Sequence, residues 1–134
     1  MATFDQQKRP QGYAAITPYL LVDNASATME FLKQVFEAKV TSENRLANGK
    51  IRHAELQIDD TKLMLADTTE AFPAMPSMLY VYVADVDATN QKALAHGAKA
   101  ITAPENEEYG DRTAGVKDPC GNQWWFASKI RSES

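Results

Sequence analysis

An α+β fold built from two βαβββ modules is what this 134-residue chain predicts. Three observations carry that reading. First, part of the sequence recurs about 61 residues later: Tyr19-Leu20-Leu21-Val22 returns as Tyr80-Val81-Tyr82-Val83, and Asp60 to Ala66 as Gly121 to Ala127. Ala27-Thr28 returns as Ala88-Thr89 and Gly49 as Gly110, while Ala38-Lys39-Val40 returns as Ala98-Lys99-Ala100, one residue short. A recurrence of this length is one supersecondary unit used twice, and a ligand site in such a fold is expected between the copies. Second, hydrophobic periodicity changes along each copy from alternation to helical spacing and back. Third, turn residues fall at matching offsets, with Asn48-Gly49 and Asp59-Asp60 in one copy and Asp118-Pro119-Cys120-Gly121 in the other.

The elements follow in order. Residues 1 to about 12 and 130 to 134 are polar and expected to fray. Ala15–Val22 reads as a strand. Asp23 or Asn24 then offers a side-chain oxygen to cap a helix running to about Glu37, with Phe31, Leu32, Val35 and Phe36 as its buried stripe. Lys39–Arg45 is a strand, and Lys50–Ile58 with Thr61–Asp67 forms a hairpin across Asp59-Asp60. A linker, Thr68–Ser77, carries Pro73 and Pro76. The second copy opens with the strand Met78–Val83, and a helix capped by Asp85 ends at Gly97, a residue suited to the left-handed conformation. Strands at Lys99 to about Ala103, Arg112–Lys117 and Gln123–Ser128 complete it. The expected organisation is a single domain over 1–134, with module one at about 14–67, the linker at 68–77 and module two at about 78–129. Paired edge to edge, the modules would form a curved mixed sheet around a cleft, with helices outside.

Composition narrows the partners. Hydrophobic residues make up 44% of the chain, enough for a core, and the net charge is −4 with both signs interspersed. There is no basic stripe, so nucleic acid is not an expected partner. No apolar run approaches the roughly 18 residues that span a bilayer, so membrane is not expected either. The polar Met1–Pro10 segment lacks a signal peptide's apolar core. The one cysteine, Cys120, has no internal disulfide partner, and a reducing, cytoplasmic setting is expected.

Strand alternation assigns facing. Leu20, Val22, Leu79, Val81 and Val83 form the evenly apolar side, under the helices. Thr17, Tyr19 and Leu21 then face the cleft, with Met78, Tyr80 and Tyr82. A two-residue turn at Asp59-Asp60 sets Glu55 opposite Met64, so His53, Glu55, Gln57 and Met64 share the cleft side, while Ala54, Leu56, Ile58, Leu63 and Leu65 oppose it. The repeat carries Met64 onto Trp125 and Ile51 onto Arg112, which places Trp125 and Arg112 inward and Trp124 with the helices. The tyrosines, Trp125 and the two methionines suit a planar or apolar ligand; the alternative is that they are ordinary core. Arg112 would hold an anionic group or make an ion pair with Glu55, Glu108 or Asp111. His53 and Glu55 lie about 7 Å apart on one face. They offer a base–acid pair, two metal ligands, or a polar pair satisfied by Arg112 or a tyrosine hydroxyl. His96 reads as a solvated residue favoured by a helix dipole, and Cys120 as a turn residue.

Three segments resemble the vicinal oxygen chelate superfamily, which includes glyoxalase I, extradiol dioxygenases, fosfomycin-resistance enzymes and bleomycin-binding resistance proteins. They are Ile16-Thr17-Pro18-Tyr19-Leu20-Leu21-Val22-Asp23 with Glu30-Phe31; His53-Ala54-Glu55-Leu56 with Leu63-Met64-Leu65-Ala66-Asp67; and Tyr109 to Trp125. The resemblance spans roughly residues 14 to 129 and implies paired βαβββ modules around a cleft. It also implies four inward metal-ligand positions, which fall on Thr17, Met64, Met78 and Trp125. None of these suits a hard or borderline divalent ion, so no metal ligand and no cofactor is expected. The function that the resemblance implies is metal-free binding of a small aromatic or apolar organic molecule by a homodimer. Site residues would be Thr17, Tyr19, His53, Glu55, Met64, Met78, Tyr80, Tyr82, Arg112 and Trp125. The alternatives are a metal-dependent lyase or isomerase of the glyoxalase type, and a metal-free enzyme with Glu55 as the catalytic base. The modules could pair within one chain or between two.

Overall fold

The computed structural model describes residues 3–130. Each module has the expected order. In the first, β1 (Tyr19–Val22) leads to α1 (Ala25–Phe36), then β2 (Lys39–Arg45), β3 (Ile51–Ile58) and β4 (Thr61–Asp67). In the second, β5 (Met78–Tyr82) leads to α2 (Val86–Ala95), then β6 (Lys99–Asn106), β7 (Asp111–Lys117) and β8 (Gln123–Lys129). The hydrogen-bonded sheets are two, each four-stranded and mixed, in the orders β1-β4-β3-β2 and β5-β8-β7-β6. The crossover helix lets β1 lie parallel to β4, and β5 parallel to β8.

Local chemistry sets the helix ends. Asn24 caps α1 by accepting from the Ala27 amide at 3.1 Å, and Asp85 caps α2 by accepting from Ala88 at 3.1 Å. Helix α1 closes on Glu37 at φ 55, and the chain leaves α2 through Gly97 at φ 99. Asp67, at the end of β4, accepts from Ala25 N at 2.8 Å and from Ile51 N at 2.6 Å, tying the starts of α1 and β3 to one carboxylate. Strand β1 is shorter than expected because Pro18 cannot donate to a ladder, although its carbonyl accepts from Met64 N. Strand β6 runs longer than expected, past Pro104. Thr102 pairs with Gly115 and Glu105 with Thr113, so β6 takes three steps for two on β7 and the proline sits in the bulge.

The N-terminal segment is more ordered than its polarity suggested. Gln6–Lys8 forms a 3-10 turn capped by Asp5, and Tyr13 N bonds the Pro10 carbonyl. Of the ends expected to fray, residues 1–2 and 131–134 lie outside the described residues.

The helix-facing sides of both sheets share one core. Leu20, Val22, Ala54, Leu56, Leu63 and Leu65 from the first sheet join Ala114, Val116, Trp124 and Phe126 from the second. Phe36 of α1 bridges them, its ring 5.4 Å from Trp124 and 5.6 Å from Phe126. The opposite side of each sheet, turned away from this core, holds the polar and aromatic residues.

Candidate functional site

On the first sheet, ladder register places Tyr19 beside Met64 and Met64 beside Glu55, as the two-residue turn required. The turn forms with Asp59 at φ 50. Three side chains on this face make a continuous hydrogen-bonded run. Tyr19 Oη lies 3.1 Å from His53 Nδ1, and His53 Nε2 lies 3.1 Å from Glu55 Oε2. The other carboxylate oxygen, Oε1, accepts from the Tyr13 hydroxyl. A neutral imidazole carrying its proton on Nε2 satisfies all of these bonds: both tyrosines donate, and histidine donates to the carboxylate. Tyr13 directly follows the segment expected to fray. It is held over the face by Lys62, whose ammonium lies 5.5 Å from the Tyr13 ring centroid, and by Gly12, which packs against the same lysine. The clue in the sequence was an aromatic residue after Gln11-Gly12 in an otherwise polar stretch.

On the second sheet, Tyr80 pairs with Trp125, and Trp125 with Gly115. The indole lies across the glycine: a Cβ there would meet three ring atoms at 2.8 Å. Gln123 holds the indole N–H at 3.1 Å. Beside it the Tyr80 and Tyr82 rings meet edge to face, with centroids 5.4 Å apart and planes at 74°. Both hydroxyls reach Asp111 Oδ2, at 3.1 and 3.4 Å, and Tyr80 Oη lies 3.3 Å from Tyr109 Oη. Burial, then the Tyr109 and Asp111 hydrogen bonds, push the Tyr80 hydroxyl well above the ordinary phenol range. With 44% of the residue still exposed, the neighbouring carboxylate is the more durable part of that shift. Tyr82 is raised as well, first by the Asp111 charge. Asp111 and Tyr109 were not among the expected site residues, and Asp111 had been considered only as an ion-pair partner of Arg112.

Arg112 is a correction. It sits next to Ala114 on the helix-facing side of β7 and forks onto Asp87 of α2, with Nε–Oδ2 at 2.8 Å and Nη2–Oδ1 at 2.9 Å; its Nη1 donates to Asn106. Ile51 and Arg112 do occupy similar places, Ile51 pairing with Arg45 at the end of β2 and Arg112 with Asn106 at the end of β6. On the first sheet Asn44 pairs with His53 but Arg45 with Ile51, which leaves Arg52 as an extra residue. That bulge turns Ile51, 1% exposed, to the helix side; β7 has no such bulge against β8, and Arg112 reaches the helix side by regular alternation with Ala114 and Val116.

The hydrogen bonds and ring contacts of Tyr19, His53 and Glu55 stay within the first module, and those of Tyr80, Tyr82 and Asp111 within the second. Thr17, half-buried, precedes β1, and Met78 is 67% exposed at the start of β5. Between the modules lies a groove of about 530 Å³, lined by Pro18, Ile58, Leu63, Leu79, Val81 and Trp124 and also by Met78, Tyr80 and Tyr82 of the expected site.

The donor set does not fit a divalent ion. Met64 and Met78 offer thioethers, Trp125 no lone pair and Thr17 a neutral hydroxyl. His53 and Glu55 are engaged with each other and with two tyrosines, and among the described residues no three His, Cys, Asp or Glu side chains converge.

A family model for the glyoxalase/bleomycin resistance protein/dioxygenase superfamily matches residues 12–126. The chain belongs to that superfamily. Proteins of similar sequence include uncharacterized proteins of Mycobacterium bovis and Mycobacterium tuberculosis. Each is 33% identical over 128 residues covering 87% of this chain, which is 84% of the bovis protein and 75% of the tuberculosis one. Among solved structures, TioX from Micromonospora sp. ML1 superposes with a TM-score of 0.74 at 24% identity, covering 87% of this chain and 99% of TioX. A glyoxalase/bleomycin resistance protein/dioxygenase family enzyme from Burkholderia phytofirmans does so at 0.70 and 20% identity, covering 84% and 95%. Among the described residues, no helix of this superfamily member is long and apolar enough to cross a membrane.

Proposed function

We propose that this chain binds a small organic molecule, aromatic or apolar in its main body, and does so without a metal. The observation that carries the reading is the Trp125 indole laid over Gly115, beside Tyr80 and Tyr82 on a sheet face turned away from the core. An indole seated on a bare backbone presents its outer face for stacking, and planar ligands gain most from such a surface. Met64 and Met78 add polarisable, adaptable contact.

A homodimer completes the site in this reading. Tyr19, Met78, Tyr80 and Tyr82 are 45%, 67%, 44% and 68% exposed in the single chain. Aromatic surface of that extent on two faces favours burial against another copy. Setting the first module's face of one chain on the second module's face of another would bring Tyr19, His53, Glu55 and Met64 opposite Trp125.

The test is a thermal-shift screen of neutral and charged planar molecules, with sedimentation velocity on the same protein. A two-ring aromatic at saturating concentration should raise Tm, and the protein should sediment as a dimer. A panel that leaves Tm unmoved would end the binding reading.

One observation favours a second reading, an enzyme with Glu55 as base: the run from Tyr19 through His53 and Glu55 to Tyr13 is a ready path for a proton.

A further inference from the structure

The face of the second sheet is electron-rich in a way that an apolar ligand does not need. Tyr80 and Tyr82 stand at 74° to one another, with Tyr109 joined to Tyr80 through its hydroxyl. Two of the three hydroxyls converge on one carboxylate, Asp111, which is 8% exposed. Lys129 stands across from Asp111 in the β7–β8 ladder. A second carboxylate, Glu107, lies on the same side, accepting from Thr113 Oγ1 at 3.0 Å.

Nearly buried negative charge is costly unless hydrogen bonds meet it, and here two phenol hydroxyls do. A phenol that donates to a carboxylate is polarised so that its ring carries more negative charge, and ring faces attract cations through their quadrupole. Two rings at a steep angle, with a third alongside, offer a cation more than one such face.

We propose that Tyr80, Tyr82 and Tyr109, backed by Asp111, form a site for an organic ammonium group, alkylated rather than free. Bulky, weakly hydrated ammonium groups gain most from ring faces, whereas a small, strongly hydrated ion would have to shed its water. Trp125 is the ladder neighbour of Tyr80, so the ligand class is a planar or apolar body carrying an alkylammonium substituent about one ring away. The inference rests on the binding reading above and sharpens it, assigning a charge to a ligand otherwise described only by its shape.

The experiment compares benzyltrimethylammonium with neopentylbenzene, its neutral carbon isostere, each titrated into the intact protein and followed by tryptophan fluorescence and by ligand-observed NMR. The expected result is a preference for the cation of about two- to fivefold, the size of a cation–π contact at an exposed site. Tyr82→Leu, at a residue 68% exposed and therefore safe for folding, and Asp111→Asn, which keeps an acceptor for the tyrosines, should each bring the two probes close to parity. Circular dichroism confirms that both variants are folded. Equal binding of the two probes by the unaltered protein would overturn the ammonium site while leaving the broader binding reading in place. Failure of the cation to bind at all would also overturn it, and the planar-molecule screen then decides the broader reading by itself. A preference that survives both substitutions would place the cation elsewhere and overturn the assignment to these tyrosines.

Discussion

The indole of Trp125 rests on the backbone of Gly115, at a distance that leaves no room for a methyl group between them. The glycine has an ordinary backbone conformation, so it is required here by packing and not by its freedom of φ. Gly115→Ala should therefore lift or rotate the ring. We expect a loss of about 1–3 kcal/mol in stability, the usual cost of overpacking, with a shifted tryptophan emission maximum. Chemical denaturation and fluorescence check both. An unchanged emission spectrum would mean that the indole does not rely on the bare backbone.

Arg112 and Asp87 join β7 to α2 through two parallel hydrogen bonds on the helix-facing side. The pair is substantially exposed, at 32% and 53% of side-chain area, so its contribution is screened by solvent and salt. Arg112→Gln should leave stability nearly unchanged at neutral pH and ligand affinity untouched. The guanidinium hydrogen bond holds the Asp87 carboxyl below its usual range. Whatever stability it supplies is present above the unfolded carboxyl pKa, near 4, and is lost as pH falls through the lower folded value. Acid titration of the protein and the variant should converge at the bottom of that window. A large loss of affinity in the variant would return Arg112 to the site.

The repeat made the fold legible because alternation, helical spacing and turn residues are local properties, and the chain states each of them twice. It also placed Tyr19, Met64, Tyr80 and Trp125 in the correct register, since short turns leave little freedom in pairing. Arg112 was misread because the repeat slips by one residue before this strand: Glu55 pairs with Met64 but Gly115 with Trp125, so a facing carried from Ile51 at the spacing of the last strands is inverted on β7. Tyr13 escaped because it reaches Glu55 across 42 residues of sequence from a segment with no periodicity. Asp111 escaped because a carboxylate whose role is to receive two phenols looks, in sequence, like one more surface acid.

Asp118 concentrates an unusual share of the second module's order in one buried carboxylate. It is 4% exposed. Its Oδ1 accepts from the Cys120 and Asn122 amides at 2.8 and 3.0 Å, and its Oδ2 from the Trp124 indole at 2.8 Å. Asp118→Ala orphans three donors, each costing about 1–3 kcal/mol where water cannot replace the acceptor. A loss of about 3 kcal/mol or more is expected by urea denaturation. Asp118→Asn should recover part of it, and a loss no larger than that of a surface substitution would contradict this role.

Tyr80 should titrate anomalously. Its hydroxyl is raised above the unfolded value near 10, so the native state holds a proton that the unfolded chain releases first. The sign follows: the stabilisation is complete below about pH 10 and declines as pH rises toward the folded pKa. Absorbance at a phenolate wavelength should show one tyrosine ionising late in the native protein and normally in denaturant. In Asp111→Asn the delay should shrink, because the charge that opposes phenolate formation has gone. A native titration curve identical to that of the denatured chain would dispose of the cluster's electrostatics.

Tyr13 and Glu55 separate a packing role from a chemical one. Tyr13→Phe keeps the ring beside Lys62 and removes only the donor to Glu55. It should cost about 1 kcal/mol and speed amide exchange across residues 9–14, measured by mass spectrometry. Glu55→Gln still offers an oxygen to Tyr13, so the segment should stay docked. If the face binds and does not catalyse, this variant keeps ligand affinity within about threefold, far less than the 10²–10⁴ that removal of a general base costs in rate. A ligand found to be turned over, with turnover lost in Glu55→Gln and retained in Tyr13→Phe, would move the protein from binder to enzyme and assign the base.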